Sequence, residues 1–189
     1  MSESERVSAS VRRAEESDCR AIADVVTEAF GPAEGPEIVQ LLADLSADPS
    51  AQPVLSLVAT MDRRVVGHVC FTRARMEAGK REVRAAILAP LAVLPDFQSR
   101  GIGGQLVREG LQQLEAAGVD LVFVLGHPDY YPRFGFAEAG VRGFAAPYPI
   151  EPKNAGAWMV RELRPEILEA VSGKLRCADA LDDPRYWRE

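Results

Sequence analysis

Residues 91–106 read Leu91-Ala92-Val93-Leu94-Pro95-Asp96-Phe97-Gln98-Ser99-Arg100-Gly101-Ile102-Gly103-Gly104-Gln105-Leu106, an apolar strand that passes through a polar turn into a glycine-rich helix start. Such a start is an anion site. The first amides of a helix have no partner within it, the helix dipole puts positive charge there, and glycines admit a phosphate where a Cβ would block it. Arg100 can add a charge-assisted bond. Two familiar phosphate loops do not fit: the Gly-Lys-Ser/Thr ending of the P-loop is missing, and Leu106 stands where the dinucleotide fingerprint needs its third glycine.

Upstream of this stretch, the run Glu82 to Leu94 is mostly apolar and suits a central strand buried on both faces. It contains Pro90. Proline donates no ladder hydrogen bond, so a bulge is expected there, or a side from which the neighbouring strand has peeled away. Val54 to Thr60 and Val65 to Thr72 read as an antiparallel pair joined through Met61-Asp62-Arg63-Arg64. Before them, Val7 to Arg13 reads as a first strand. Ile22, Val25, Val26, Ala29 and Phe30 form the stripe of a helix that Ser17 or Asp18 can cap and that Gly31-Pro32 stops. A second helix opens at Pro36, carries Ile38, Leu41, Leu42 and Leu45, and breaks at Asp48-Pro49.

Downstream, Gly104 to Ala117 is an amphipathic helix closed by Gly118, and Leu121 to Leu125 is a buried strand. Gly126-His127-Pro128 and an aromatic turn at Tyr130 to Phe136 follow. Ala145 to Ala157, with Pro147, Pro149 and Pro152, reads as an exposed loop. Further strands are expected around Trp158 to Leu163 and Lys174 to Cys177.

The chain has 189 residues, 47% apolar and 26% charged, which suits one globular domain over residues 7–189 after a polar tail at 1–6. The net charge is −6, opposite in sign to what a phosphate backbone attracts, so nucleic acid is not an expected partner. Cys19, Cys70 and Cys177 are too scattered for a disulfide framework or a zinc site and fit a reducing cytoplasm. Met1 to Ser10 lacks the apolar core of a secretory signal, and Ala85 to Pro95 is too short to span a bilayer, so no membrane partner is expected.

The order Val-x-Pro, then Gln98-x-x-Gly101-x-Gly103, resembles motif A of the GNAT superfamily of acetyl-CoA-dependent N-acyltransferases. Tyr131-Pro132-Arg133-Phe134-Gly135-Phe136 resembles the Tyr-x-x-x-Gly-Phe ending of its motif B. Leu88 to Pro95 leading into the first motif, and Gly126 to Tyr131 into the second, look like a bacterial single-domain branch of that superfamily. The resemblance implies an α+β fold whose mixed, mostly antiparallel central sheet is splayed at a bulge, with helices on both faces. It implies acetyl-CoA as cosubstrate, an amine as acceptor and no metal. It places the pantetheine arm along Leu91, Ala92 and Val93, and the pyrophosphate over Gln98, Ser99, Arg100, Gly101, Ile102, Gly103 and Gly104. Amides near Val93 would hold the oxyanion. Tyr131 would lie beside the sulfur and protonate the departing thiolate, while the other aromatics of the turn pack. The resemblance is compatible with a monomer or a homodimer.

Many members carry a glutamate base on the strand before motif A, and Ala85-Ala86-Ile87-Leu88-Ala89 has none. An amine is mostly protonated at neutral pH, so a side chain or a water chain must take its proton. His68 is the first candidate base, its ordinary pKa suiting the task, although the same ring could be structural. His127 is the second. Cys70 is expected in the core. Glu77, Glu82 and Asp129 are possible substrate contacts, and the Ala145 to Ala157 loop is expected to help select the acceptor. Two other functions remain open: a catalytically silent acyl-CoA sensor, and transfer of a longer acyl group.

Overall fold

The computed structural model describes residues 9–77 and 81–188. Its strands are β1 (Ser10–Arg13), β2 (Leu55–Met61), β3 (Arg64–Met76), β4 (Ala85–Val93), β5 (Leu121–Leu125), β6 (Ala137–Glu138), β7 (Phe144–Ala145), β8 (Trp158–Glu162) and β9 (Gly173–Arg176). The helices are α1 (Cys19–Ala47), α2 (Ile102–Ala116) and the single turn α3 (Ile167–Ala170). Along the sheet the order is β1-β2-β3-β4-β5-β8-β6, with β9 continuing from the far end of β3 and pairing β7. Within that main path only β4–β5 is parallel. This is the mixed, mostly antiparallel α+β sheet expected from the sequence.

Local chemistry accounts for most boundaries. The β2–β3 hairpin turns on Asp62 and Arg63, both at positive φ (49° and 65°), which is the two-residue turn that matches strand twist. The expected pair of helices appears as two directly abutting helical segments that meet at Gly31, whose φ of 83° and ψ of 175° are not helical. A glycine takes that backbone without strain, so the two segments join with no loop between them. Asp18 does not cap α1 with its side chain. Its carboxylate instead accepts from Arg12 of β1 at 2.6 and 2.9 Å and from the Glu15 amide at 2.8 Å, clamping the helix start to the first strand. Of the expected first strand, Val7 and Ser8 lie outside the described residues.

Side chains alternate across a strand, so β3 divides its residues between two layers. A Cβ on Gly67 would point at Ile102 and Leu106 of α2, and the Phe71 ring lies against Gly110 of the same helix. On the other face, Ala74 joins Leu41 and Leu45 from the second segment of α1. Helices thus cover both faces. β4 is buried from Ala85 to Leu88 and becomes half-buried at Ala89, Pro90 and Leu91. That change marks the site.

Candidate active site

Val69 pairs with Leu91 and Phe71 with Leu88, so Cys70 alone faces two residues, Ala89 and Pro90. This is the bulge that the proline implied. The parallel pairing of β4 with β5 covers Ala85↔Leu121 to Leu88↔Val124 and stops there. Beyond it β4 runs on against β3 alone, while the chain after β5 turns away as the Gly126 amide bonds to Ala157 C=O. A wedge opens between the two strands.

The Leu94 amide donates to Val66 C=O at 2.9 Å. Antiparallel ladders alternate, so Ala92 and Leu94 turn their backbone groups to β3, and Leu91 and Val93 turn theirs to the open wedge. Consistent with this, Val93 C=O accepts from Gln98 Nε2 at 3.0 Å. Ala92 is buried opposite His68 and has its backbone committed to the ladder.

From Val93 the chain passes through one turn at Pro95–Phe97 into the loop and α2. Ser99 (φ 60°) and Gly101 (φ 81°) both adopt left-handed backbone, and a side chain on Gly101 would meet nothing within 4 Å. Gly101, at the N-cap, has no side chain with which to cap α2, and the first bond of the helix is Gln105 N–H to Gly101 C=O. The amides of Ile102, Gly103 and Gly104 therefore stand ahead of the helical ladder. Arg100 is exposed, with its guanidinium 5.3 Å from the Phe97 ring centre. Gln98 to Gly103 thus gather at the mouth of the wedge. The Ile102 side chain is buried against the sheet, and the space beside Gly104 is filled by Arg108 and Phe134.

Two tyrosines follow β5. Tyr131 is buried, with its ring edge against Gly126 and edge-on to Phe136 at 5.7 Å. Tyr130 is half-buried, edge-on to Tyr131 at 5.1 Å, and its hydroxyl reaches Gly103. Burial raises the Tyr130 phenol above its usual range, against the opposing pull of Arg133 and Arg108. Sequence reading placed Tyr130 among the packing aromatics. Its approach to Gly103 is a tertiary contact between segments far apart in the chain, and only the doubling of tyrosine in the turn hinted at it.

His68 is 1% exposed, and its Nε2 lies 2.8 Å from Ser56 Oγ. Among the described residues Nδ1 has no hydrogen-bond partner. Burial pushes its pKa down to about 4, so the ring is neutral at pH 7. Cys70 lies in the core, its thiol pushed up to about 12 by burial. His127 is exposed, and its C=O accepts the Tyr130 amide, which shapes the turn. Glu77 is paired with Arg176, Glu82 lies at the far end of the sheet, and Asp129 is exposed beside the aromatic turn. Among the described residues no helix is long and apolar enough to cross a membrane.

Comparison with known proteins agrees with this geometry. A family model described as an acetyltransferase (GNAT) domain matches residues 10–139. The protein named uncharacterized N-acetyltransferase YjhQ, from Escherichia coli (strain K12), is 43% identical over 166 residues, 87% of this chain and 90% of its own. The crystal structure of the GNAT family N-acetyltransferase YhbS from Escherichia coli in complex with CoA has a TM-score of 0.82 at 29% identity. The match covers 94% of this chain and 93% of that one. A GNAT family acetyltransferase from Brucella melitensis in complex with acetyl-CoA has a TM-score of 0.71 at 29% identity, covering 93% and 99%.

Proposed function

The chain belongs to the GNAT acetyltransferase family, and from that premise we propose that it moves an acetyl group from acetyl-CoA to a primary amine by direct attack in a ternary complex. One observation carries the reading: β4 leaves β5 after Leu88, turns the backbone of Leu91 and Val93 into the gap, and leads to the start of α2, whose N-cap is a glycine. The pantetheine arm would complete the broken sheet as a surrogate strand. Its pyrophosphate would sit on the amides at the Gly101–Gly103 turn, with Arg100 adding charge.

In the proposed reaction the amine nitrogen attacks the thioester carbon, the carbonyl oxygen takes the developing charge, and the C–S bond then breaks. The Val93 amide, aimed into the wedge, would hydrogen-bond that oxygen. Tyr131 would give its phenolic proton to the departing thiolate and recover one from water. We assign the amine's proton to water. His68 is the only histidine in the strands, but a ring held near pKa 4 and shut from solvent is a weak acceptor for a proton from an amine of pKa about 10. In this reading His68 fixes Ser56 and holds the β2–β3–β4 register. Three free cysteines support a reducing compartment, the cytoplasm.

Release of free coenzyme A thiol from acetyl-CoA over a panel of amines, by wild type and Tyr131→Phe, tests the proposal. The lack of a carboxylate on β4 favours one second reading, a silent acyl-CoA sensor. Binding with no thiol release for any amine would select it, and a competition series of longer acyl-CoAs would expose a different donor.

A further inference from the structure

A cavity of about 710 Å³ lies at the other end of the sheet, under the C-terminal half of α2. Its floor is apolar, formed by Leu55, Phe71, Ala86 and Leu114. Around it stand Arg13, Arg73, Arg75, Arg81 and Arg84, faced by one lining carboxylate, Glu82. α2 has 15 residues, so at 1.5 Å per residue the cavity and the glycine loop are separated by about 20 Å. The two sites are distinct.

None of these five guanidiniums enters an ion pair among the described residues. Arg13 Nε donates to the neutral Gln113 Oε1 at 3.1 Å. Arg75 stands directly opposite Arg176 of β9, a like-charge pair in register, and Arg176 pairs with Glu77 at 3.3 Å. Like charges opposed across strands are destabilising, and this cluster forms in a chain whose net charge is −6. Such a concentration, around a concave apolar floor, suits an anion that neutralises it.

We propose that this cavity binds a small organic polyanion, with two or more phosphate or carboxylate groups on an apolar body. The guanidinium forks grip the anionic groups, and the body rests on Phe71 and Leu114. Concavity favours a small molecule over a nucleic-acid backbone, which would track along an open basic stripe.

Calorimetric titration at low salt with pyrophosphate, citrate and benzene-1,3,5-tricarboxylate tests this, with coenzyme A present in excess and then absent. The probes separate phosphate from carboxylate recognition and show whether an apolar body adds affinity. At least one probe is expected to bind one per chain whether or not coenzyme A is present. Arg73→Gln/Arg84→Gln should weaken it at least about tenfold, and Arg73→Lys/Arg84→Lys by less. Coenzyme A affinity, read in the same variants, should not move. Absence of binding up to about 10 mM overturns the proposal and leaves the arginines as solvated cations near the negative end of α2. Binding unaltered in the glutamine variant, or abolished by coenzyme A, also overturns it, the latter by assigning the probe to the glycine loop.

Discussion

The Tyr130 hydroxyl lies 2.6 Å from the point a Cβ on Gly103 would occupy. A side chain at position 103 therefore has to displace the aromatic turn after β5, whatever occupies the loop. The contact also ties the two motifs together, since the turn carrying Tyr131 is seated on the first turn of α2. Gly103→Ala should displace the Tyr130 ring and weaken acetyl-CoA binding about tenfold, roughly 1.4 kcal/mol. Tyr130→Phe in the same chain should recover part of that loss. A double-mutant cycle read by calorimetry checks it: additive effects would mean the two residues do not communicate.

Tyr131→Phe keeps the buried ring and removes only the hydroxyl. Turnover should fall about 100-fold or more, the range typical of a lost proton donor, while acetyl-CoA affinity stays within about a factor of two. Unchanged turnover would return Tyr131 to the packing cluster of Tyr130, Phe134 and Phe136.

His68 should show itself in stability more than in turnover. Folded, it stays neutral down to about pH 4, whereas unfolded it takes a proton near its ordinary 6.5. The unfolded state thus binds more protons between those values, and stability falls as pH drops from 6.5 to 4, by about 3 kcal/mol in all. Asp18, held down to about 2 by its hydrogen bond to Arg12, keeps its full stabilisation above its ordinary 3.8 and loses it only as pH falls from there toward 2, so the two windows separate. Denaturant unfolding of wild type and His68→Gln at several pH values checks this. The variant should lose the slope between about pH 6.5 and 4 and keep turnover within about threefold of wild type, whereas loss of a true general base costs about 100-fold or more.

Gly110 is where α2 meets the sheet. A Cβ there would lie 2.2 Å from Cε2 and 2.5 Å from Cζ of the buried Phe71 ring. Gly110→Ala should therefore destabilise by about 1–3 kcal/mol through overpacking, despite the better helix propensity of alanine. A gain of stability in thermal unfolding would show that the ring has room to move.

Much of this was legible in the sequence because backbone chemistry dictated it. A proline inside an apolar strand forces a local break in pairing, and the bulge lies at Ala89 and Pro90. Glycines at the head of an amphipathic stripe mark a helix start open to anions, and Gly101 has the positive φ that only such a residue adopts readily. What escaped depends on tertiary contacts. Strands β6 and β7 have two residues each, too few for any periodicity to register. Asp18 had the residue type of a cap, yet Arg12 claimed its carboxylate. The motif singled out Tyr131 and left Tyr130 to packing, and sequence reading ranked His68 ahead of His127 as a base. The contact of Tyr130 with Gly103 and the burial that keeps the His68 ring neutral come only from neighbours the fold brings.

The central claim, that the wedge and the start of α2 hold acetyl-CoA, is tested most directly by calorimetric titration of acetyl-CoA into wild type, Gly101→Gln and Gly101→Glu, each first shown to be folded. Both variants carry the same left-handed strain and nearly the same shape, so their difference isolates charge at the pyrophosphate position. Wild type should bind one acetyl-CoA per chain, and the Gly101→Glu variant should bind at least about tenfold more weakly than the Gly101→Gln variant. Absence of binding to the wild type, or equal affinities for the two variants, would contradict it.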